Sequence, residues 1–308
     1  MKQAYFFIDD FIWTLRDVAR EKPASLFDNK YFNMLKRAHD AYGLTVQLNL
    51  FYRTDFFYGE DSFTLSEFPD TYKAEFCANS DWLKMAFHAT QEFPDYPYVN
   101  AGYNDVKIGY ERVIGEIKRF AGEKSISTVV VPHWLPISRE GCQALADCGV
   151  KYLSCSIGTN VTEYTEGEAG ISTSTMIRIL HNRKPETKIH IKDWGMGVTS
   201  KSPCAHNHLT DEIAGQITGK NVSLHDEETG INFKLYSNGP CLNRFPLEEI
   251  IKELKKVKDC EFVGLGNHEQ YYYSDYYRYQ PDMEEKIMTM ARILHDYGFT
   301  FITCENFK

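Results

Sequence analysis

The strongest constraint on the fold is a repeated pattern: short apolar runs that end in a carboxylate or imidazole, separated by segments with helical periodicity. Tyr5-Phe6-Phe7-Ile8 runs into Asp9-Asp10, and Trp82 to Phe87 ends at His88. Thr128-Val129-Val130-Val131 leads through Pro132 to His133, and Glu261-Phe262-Val263-Gly264-Leu265 leads to His268-Glu269. Short apolar runs bounded by polar or turn residues read as buried strands. Between them, 28–42, 104–121, 138–148, 247–256 and 282–297 carry apolar residues at helical spacing. Strands that alternate with helices at this spacing pair in parallel, because the helix supplies the crossover.

The pattern predicts an α/β fold, an irregular seven- or eight-stranded TIM-like (β/α) barrel. Further strands are expected at 44–51, 151–157 and 300–304, and 54–80 reads as an irregular aromatic-rich connection. The rhythm breaks at about 160–245, where short alternating runs (Ile189-His190-Ile191, Asn221 to Leu224, Ile231 to Leu235) lie among Gly, Asn and Thr. This stretch is expected to hold one or two barrel strands and a β-rich insertion within a single domain spanning 1–308.

Composition excludes several partners. A formal net charge of −9 leaves no basic footprint for nucleic acid. No run approaches the roughly 20 apolar residues that span a bilayer, so no membrane association is expected. The first strand begins almost at once, without a secretory signal pattern, and the eight Cys are scattered rather than paired. Both features predict a cytoplasmic protein with reduced thiols. The 20 Tyr and 20 Phe crowd the candidate site residues, which suits a stacking surface for sugar rings.

In a barrel, strand C-termini converge on one mouth, where active sites form. The pattern therefore gathers Asp9, Asp10, His88, His133 and His268 from distant parts of the chain. Asp and neutral His suit Zn²⁺, Fe²⁺, Co²⁺ or Mn²⁺, and three such ligands leave a position open for water. Side chains alternate along a strand, so Asp9 and Asp10 face opposite ways wherever regular geometry persists. One is then free for a metal and the other for a proton. A helix N-cap is the plain alternative for this pair. His206-Asn207-His208 has ligand-like spacing but lies in the insertion.

Three segments, Phe7-Ile8-Asp9-Asp10-Phe11, Phe87-His88-Ala89-Thr90-Gln91-Glu92 and Pro132-His133-Trp134, resemble the polysaccharide deacetylase superfamily in a divergent branch. A fourth, Gly266-Asn267-His268-Glu269-Gln270-Tyr271, matches less specifically. The resemblance implies a metal-dependent hydrolase, most simply with zinc, that deacetylates an N- or O-acetylated sugar or polysaccharide precursor. It implies Asp9 as general base, Asp10 as metal ligand and His268 as general acid. The family's next motif carries two His ligands: His88 matches the first, and Glu92 stands where the second is expected. His133 is the other candidate for that ligand. Adjacency to His268 assigns Glu269 the task of holding that ring protonated. Two other readings remain open: a glycosidase-type hydrolase working through two carboxylates such as Asp9 and Glu92, and a metal-free carbohydrate-binding protein on a decayed barrel.

Overall fold

The structure is a computed structural model that describes residues 1–54, 62–93, 97–99, 101–157, 205–235 and 238–308. Strand β1 (Lys2–Phe11) lies at its centre, with all but its first two residues buried. It pairs in parallel with β10 (Phe262–His268) on one side and with β2 (Val46–Phe51) on the other. Strand β3 (Leu83–Ala89) continues beyond β2, and β11 (Phe299–Phe301) joins the start of β1.

A second sheet is built from β4 (Val129–Val130), β5 (Tyr152–Ser154), β9 (Asn232–Lys234) and β8 (Leu224–His225), with only β8–β9 antiparallel. A parallel bridge from Met85 to Ile126 links the two sheets on one side, and Cys241 bridges to Gly266 of β10. A small parallel pair, β6 (Ser156–Ile157) with β7 (His208–Leu209), completes the strands among the described residues. The result is an α/β fold with a mostly parallel sheet. The regular ladder of a TIM barrel is not formed among the described residues, where single bridges replace continuous pairing at two points.

The helices fall where periodicity predicts them. They are α2 (Lys30–Tyr42), α4 (Tyr103–Phe120), α5 (Arg139–Asp147), α7 (Leu247–Lys256) and α8 (Met283–Asp296). Asn29 caps α2 by accepting from the amides of Tyr31 and Phe32, and Gly43 closes it at φ 69°, a conformation glycine adopts without strain. Two further helices lie outside the predicted helical stretches: α1 (Trp13–Glu21), directly after β1, and α3 (Lys73–Ala78), within the connection 54–80. The expected β-rich insertion is mixed where it is described. It contributes β9 to the second sheet and adds a helix, α6 (Asp211–Ile217), while Ile189-His190-Ile191 lies outside the described residues.

Alternation along β1 divides the core. Ala4, Phe6 and Ile8 enter the large cluster that packs against the helices, whereas Tyr5 and Phe7 join Val129, Val131, Phe262, Ile302, Cys304 and Phe307 in a separate one. Asp9 continues the face of Tyr5 and Phe7, and His133 that of Val129 and Val131. The second cluster thus leads along the strands toward the candidate ligands.

Candidate metal centre

Two ladder irregularities shape this site. Along the β1–β2 pair, Ile8 sits opposite Leu48 and Phe11 opposite Leu50, so β1 spends one extra residue over Asp9-Asp10. Along β2–β3, Leu50 faces Phe87 and Phe51 faces Ala89, so His88 is the extra residue. Such bulges re-aim side chains. At the first, Asp10 takes φ 60°, a left-handed conformation that Asp tolerates better than most residues. Regular alternation does not persist across Asp9-Asp10, and both acids reach the same imidazole. Asp9 Oδ1 lies 3.9 Å from His88 Nδ1, and Asp10 Oδ1 lies 3.2 Å from Nε2 of the same ring.

His133 arrives on the turn after β4. Its backbone amide donates to the His88 carbonyl, and the next residues, Trp134 and Leu135, have φ of 63° and 76°. Its Nδ1 lies 3.3 Å from Asp10 Oδ1 and 3.1 Å from His88 Nε2. Asp10, His88 and His133 thus place three donor atoms 3.1–3.3 Å apart, all on buried residues.

The outer nitrogens of the two rings fix which atoms face inward. His88 Nδ1 lies 2.6 Å from the Val131 carbonyl, and His133 Nε2 lies 2.7 Å from that of Glu92. A carbonyl only accepts, so both outer nitrogens carry hydrogen, and in neutral rings both inner nitrogens present lone pairs. Asp10 Oδ1, which they face, has no hydrogen-bond partner and is buried. Two inward nitrogens and a carboxylate oxygen converging on one point form a group that could hold a metal ion. Donors about 2.0–2.1 Å from a tetrahedral metal stand roughly 3.3 Å apart, so these residues fit the group that the resemblance implies. Phe51 packs on both rings, its centroid 5.4 Å from that of His88 and 5.0 Å from that of His133.

Charge also couples these groups. Burial alone would raise the Asp10 carboxyl, but His133 and His88 hold it well below the usual carboxylate range. Burial would lower His133, yet Asp10 and Glu92 raise it. Asp9 moves the other way: burial raises its carboxyl, and His88, His268 and the amide of Asn49 only partly offset that.

Asn49 went unremarked in the sequence. Its Nδ2 donates to Asp9 Oδ1 at 2.6 Å, and Gln47 Nε2 donates in turn to Asn49 Oδ1 at 2.7 Å. The available signal was two amides at alternate positions in a strand that is otherwise apolar, Val46 to Phe51.

Glu92 and Glu269 take other work. The Glu92 carboxylate accepts from Gln270 Nε2 at 3.1 Å, and the residue serves the centre through its main-chain carbonyl, which orients His133. The cluster of donor atoms close enough to share a metal comprises Asp10, His88 and His133, not Glu92. Glu269 does not hold His268. Its carboxylate accepts from the amides of Ile12, Trp13 and Thr14 at 2.7–2.8 Å, capping α1, whose own N-cap residue, Ile12, makes no side-chain cap. Burial pushes Glu269 up to about 7 although these amides pull the other way. Glu269→Ala leaves three buried amides without an acceptor and is expected to cost about 3 kcal/mol, with a smaller loss for Glu269→Gln. Urea denaturation at constant m-value measures both, and a cost below about 1 kcal/mol for Ala would refute the capping role.

His268 ends β10 opposite Asp9 and is half-buried, with Nε2 4.0 Å from Asp10 Oδ2. Burial lowers its pKa, but Cys241, Asp10 and Asp9 outweigh that and raise it to about 10. His206 is spent elsewhere: its Nε2 lies 2.7 Å from Asp226 Oδ2 in the turn that joins β8 to β9.

No protein-family model matches the chain, and no curated protein does. Among solved structures, the chain is similar over 99% of its length to a 4-alpha-glucanotransferase from Thermococcus litoralis, at 10% identity and TM-score 0.52, and spans 39% of that protein. Agd3, a novel carbohydrate deacetylase, aligns with 99% of the chain at 9% identity and TM-score 0.46, the chain spanning 52% of it. A family 4 acetyl xylan esterase from Clostridium thermocellum, solved in complex with a cobalt ion, aligns with 71% of the chain at 10% identity and TM-score 0.32, the chain spanning 93% of it. The first likeness supports the α/β fold and nothing about chemistry. The other two fall below the similarity on which a shared fold rests. No helix among the described residues is long and apolar enough to cross a membrane.

Proposed function

We propose that this chain is a metal-dependent hydrolase that removes acetyl groups from an N- or O-acetylated carbohydrate. The observation that carries this reading is the triangle of Asp10, His88 and His133 donor atoms, with both imidazole lone pairs and an unpartnered carboxylate oxygen aimed at its centre. These three residues would hold the ion, which when bound polarises an acyl carbonyl and acidifies water. Zinc best suits a set of two imidazoles and one carboxylate, and cobalt, iron and manganese are its competitors.

The rest belongs to the protein. Asp9 lies beside this triangle, fixed by Asn49 and made more basic by burial, and it takes the proton of an attacking water. His268 approaches from β10 and delivers a proton to the departing amine or alkoxide oxygen.

A second reading is cleavage or transfer of a glycosidic bond, the chemistry named for the Thermococcus litoralis 4-alpha-glucanotransferase, whose likeness to this chain bears on the fold alone. It needs two carboxylates flanking the scissile bond, whereas Asp10 here is turned into the imidazole pair. Incubation of protein with zinc or cobalt and a panel of acetylated sugars distinguishes the two. Acetate release that stops with a chelator and resumes on adding metal is expected. New reducing ends without acetate would support the glycosidic reading. Sugar binding without either product would leave a carbohydrate-binding protein.

A further inference from the structure

We infer that Asn243 is the positioning residue for His268: its side-chain oxygen accepts the Nδ1 hydrogen and so turns Nε2 toward the two acids. The inference rests on the proposed role of His268 as proton donor, and it names the group that makes that role directional.

The backbone places the pair. Cys241 bridges in parallel to Gly266 of β10, so the chain two residues further on lies beside His268. Residues Leu242–Arg244 then form one tight helical turn, and Asn243 is buried within it. Asn243 Oδ1 lies 3.0 Å from His268 Nδ1 and accepts from Cys241 Sγ at 3.1 Å. With the Cys241 thiol donating to it, the amide presents its oxygen to both neighbours, and Cys241 Sγ itself lies 3.9 Å from His268 Nδ1. The turn is itself anchored: Gln280 Nε2 donates to the Asn243 carbonyl at 2.8 Å, and Gln280 Oε1 accepts from Lys286 Nζ at 2.7 Å. On the far side of the imidazole, Nε2 faces Asp10 Oδ2 at 4.0 Å.

Its chemical consequence concerns charge. A carboxylate at this position would bring a third negative group toward Asp9 and Asp10. A neutral amide orients the ring as well but leaves the two acids as the only carboxylates that His268 faces among the described residues.

Proton and nitrogen NMR of protein labelled at histidine tests the inference without using activity. The expected result is a downfield, slowly exchanging His268 Nδ1–H signal, identified by its loss in His268→Gln. It should disappear in Asn243→Leu and return in Asn243→Asp, which keeps an acceptor oxygen. On an acetylated substrate, Asn243→Leu should lower kcat by about 100-fold with KM changed less than about threefold, and Asn243→Asp should recover most of it. A His268 bearing hydrogen on Nε2 alone, or an Nδ1–H signal indifferent to Asn243→Leu, would overturn the assignment. If the signal behaves as expected while the wild type releases no acetate, the positioning stands and the proposed reaction falls.

Discussion

Asp10→Asn should abolish stoichiometric metal binding while leaving the fold intact. Asn tolerates the left-handed backbone at this position nearly as well as Asp, whereas Ala would add strain on the order of 1 kcal/mol. The amide keeps the shape of the carboxylate but not its charge, and the two inward lone pairs of His88 and His133 then lack an anionic partner for the cation. Loss of an outer partner alone commonly weakens a metal site by about 10–100-fold, so loss of the charged ligand should exceed 100-fold. Metal content after dialysis and calorimetric titration with zinc both measure this, and far-ultraviolet circular dichroism checks the fold. Tight stoichiometric metal in Asp10→Asn would refute the ligand triangle.

The second large effect concerns Asp9. Asp9→Asn should retain metal with nearly wild-type affinity and lose acetate release by about 10²–10⁴-fold, the usual contribution of a positioned general base. The substitution preserves an oxygen for Asn49 Nδ2, so the hydrogen-bonded row from Gln47 through Asn49 survives. The two variants therefore separate: one loses the ion and the other keeps the ion but not turnover. Undiminished activity in Asp9→Asn would show that another group takes the proton. Loss of metal in that variant would show instead that Asp9 belongs with the ligands.

The strand framework was legible because β1, β2, β3 and β10 are apolar runs and each helical stretch has one apolar face. That was enough to put Asp9, Asp10, His88, His133 and His268 at strand ends. It was not enough to say how they face. Period-two alternation assigns Asp9 and Asp10 to opposite sides, and nothing in Ile8-Asp9-Asp10-Phe11 records that β2 advances two residues while β1 advances three. The role of Glu269 was also hidden, since its partners Ile12 to Thr14 lie more than 250 residues away in sequence. Adjacency suggested His268, but neighbours on an extended chain point apart. Helix α1 escaped notice because it starts within two residues of the strand, with no side-chain cap of its own. Its cap comes from Glu269, just past the end of β10, instead.

The bulge at Asp10 makes the site a matter of chain arithmetic. Asp10 faces the imidazoles because β1 is one residue longer than its partner between Ile8 and Phe11, and His88 stands at a like surplus in β3. Removing a single residue from either strand would let the ladder run straight and leave every apolar contact below it in place. The centre, though, would come apart. A one-residue deletion at either position is therefore expected to break the site as surely as substitution of Asp10 does.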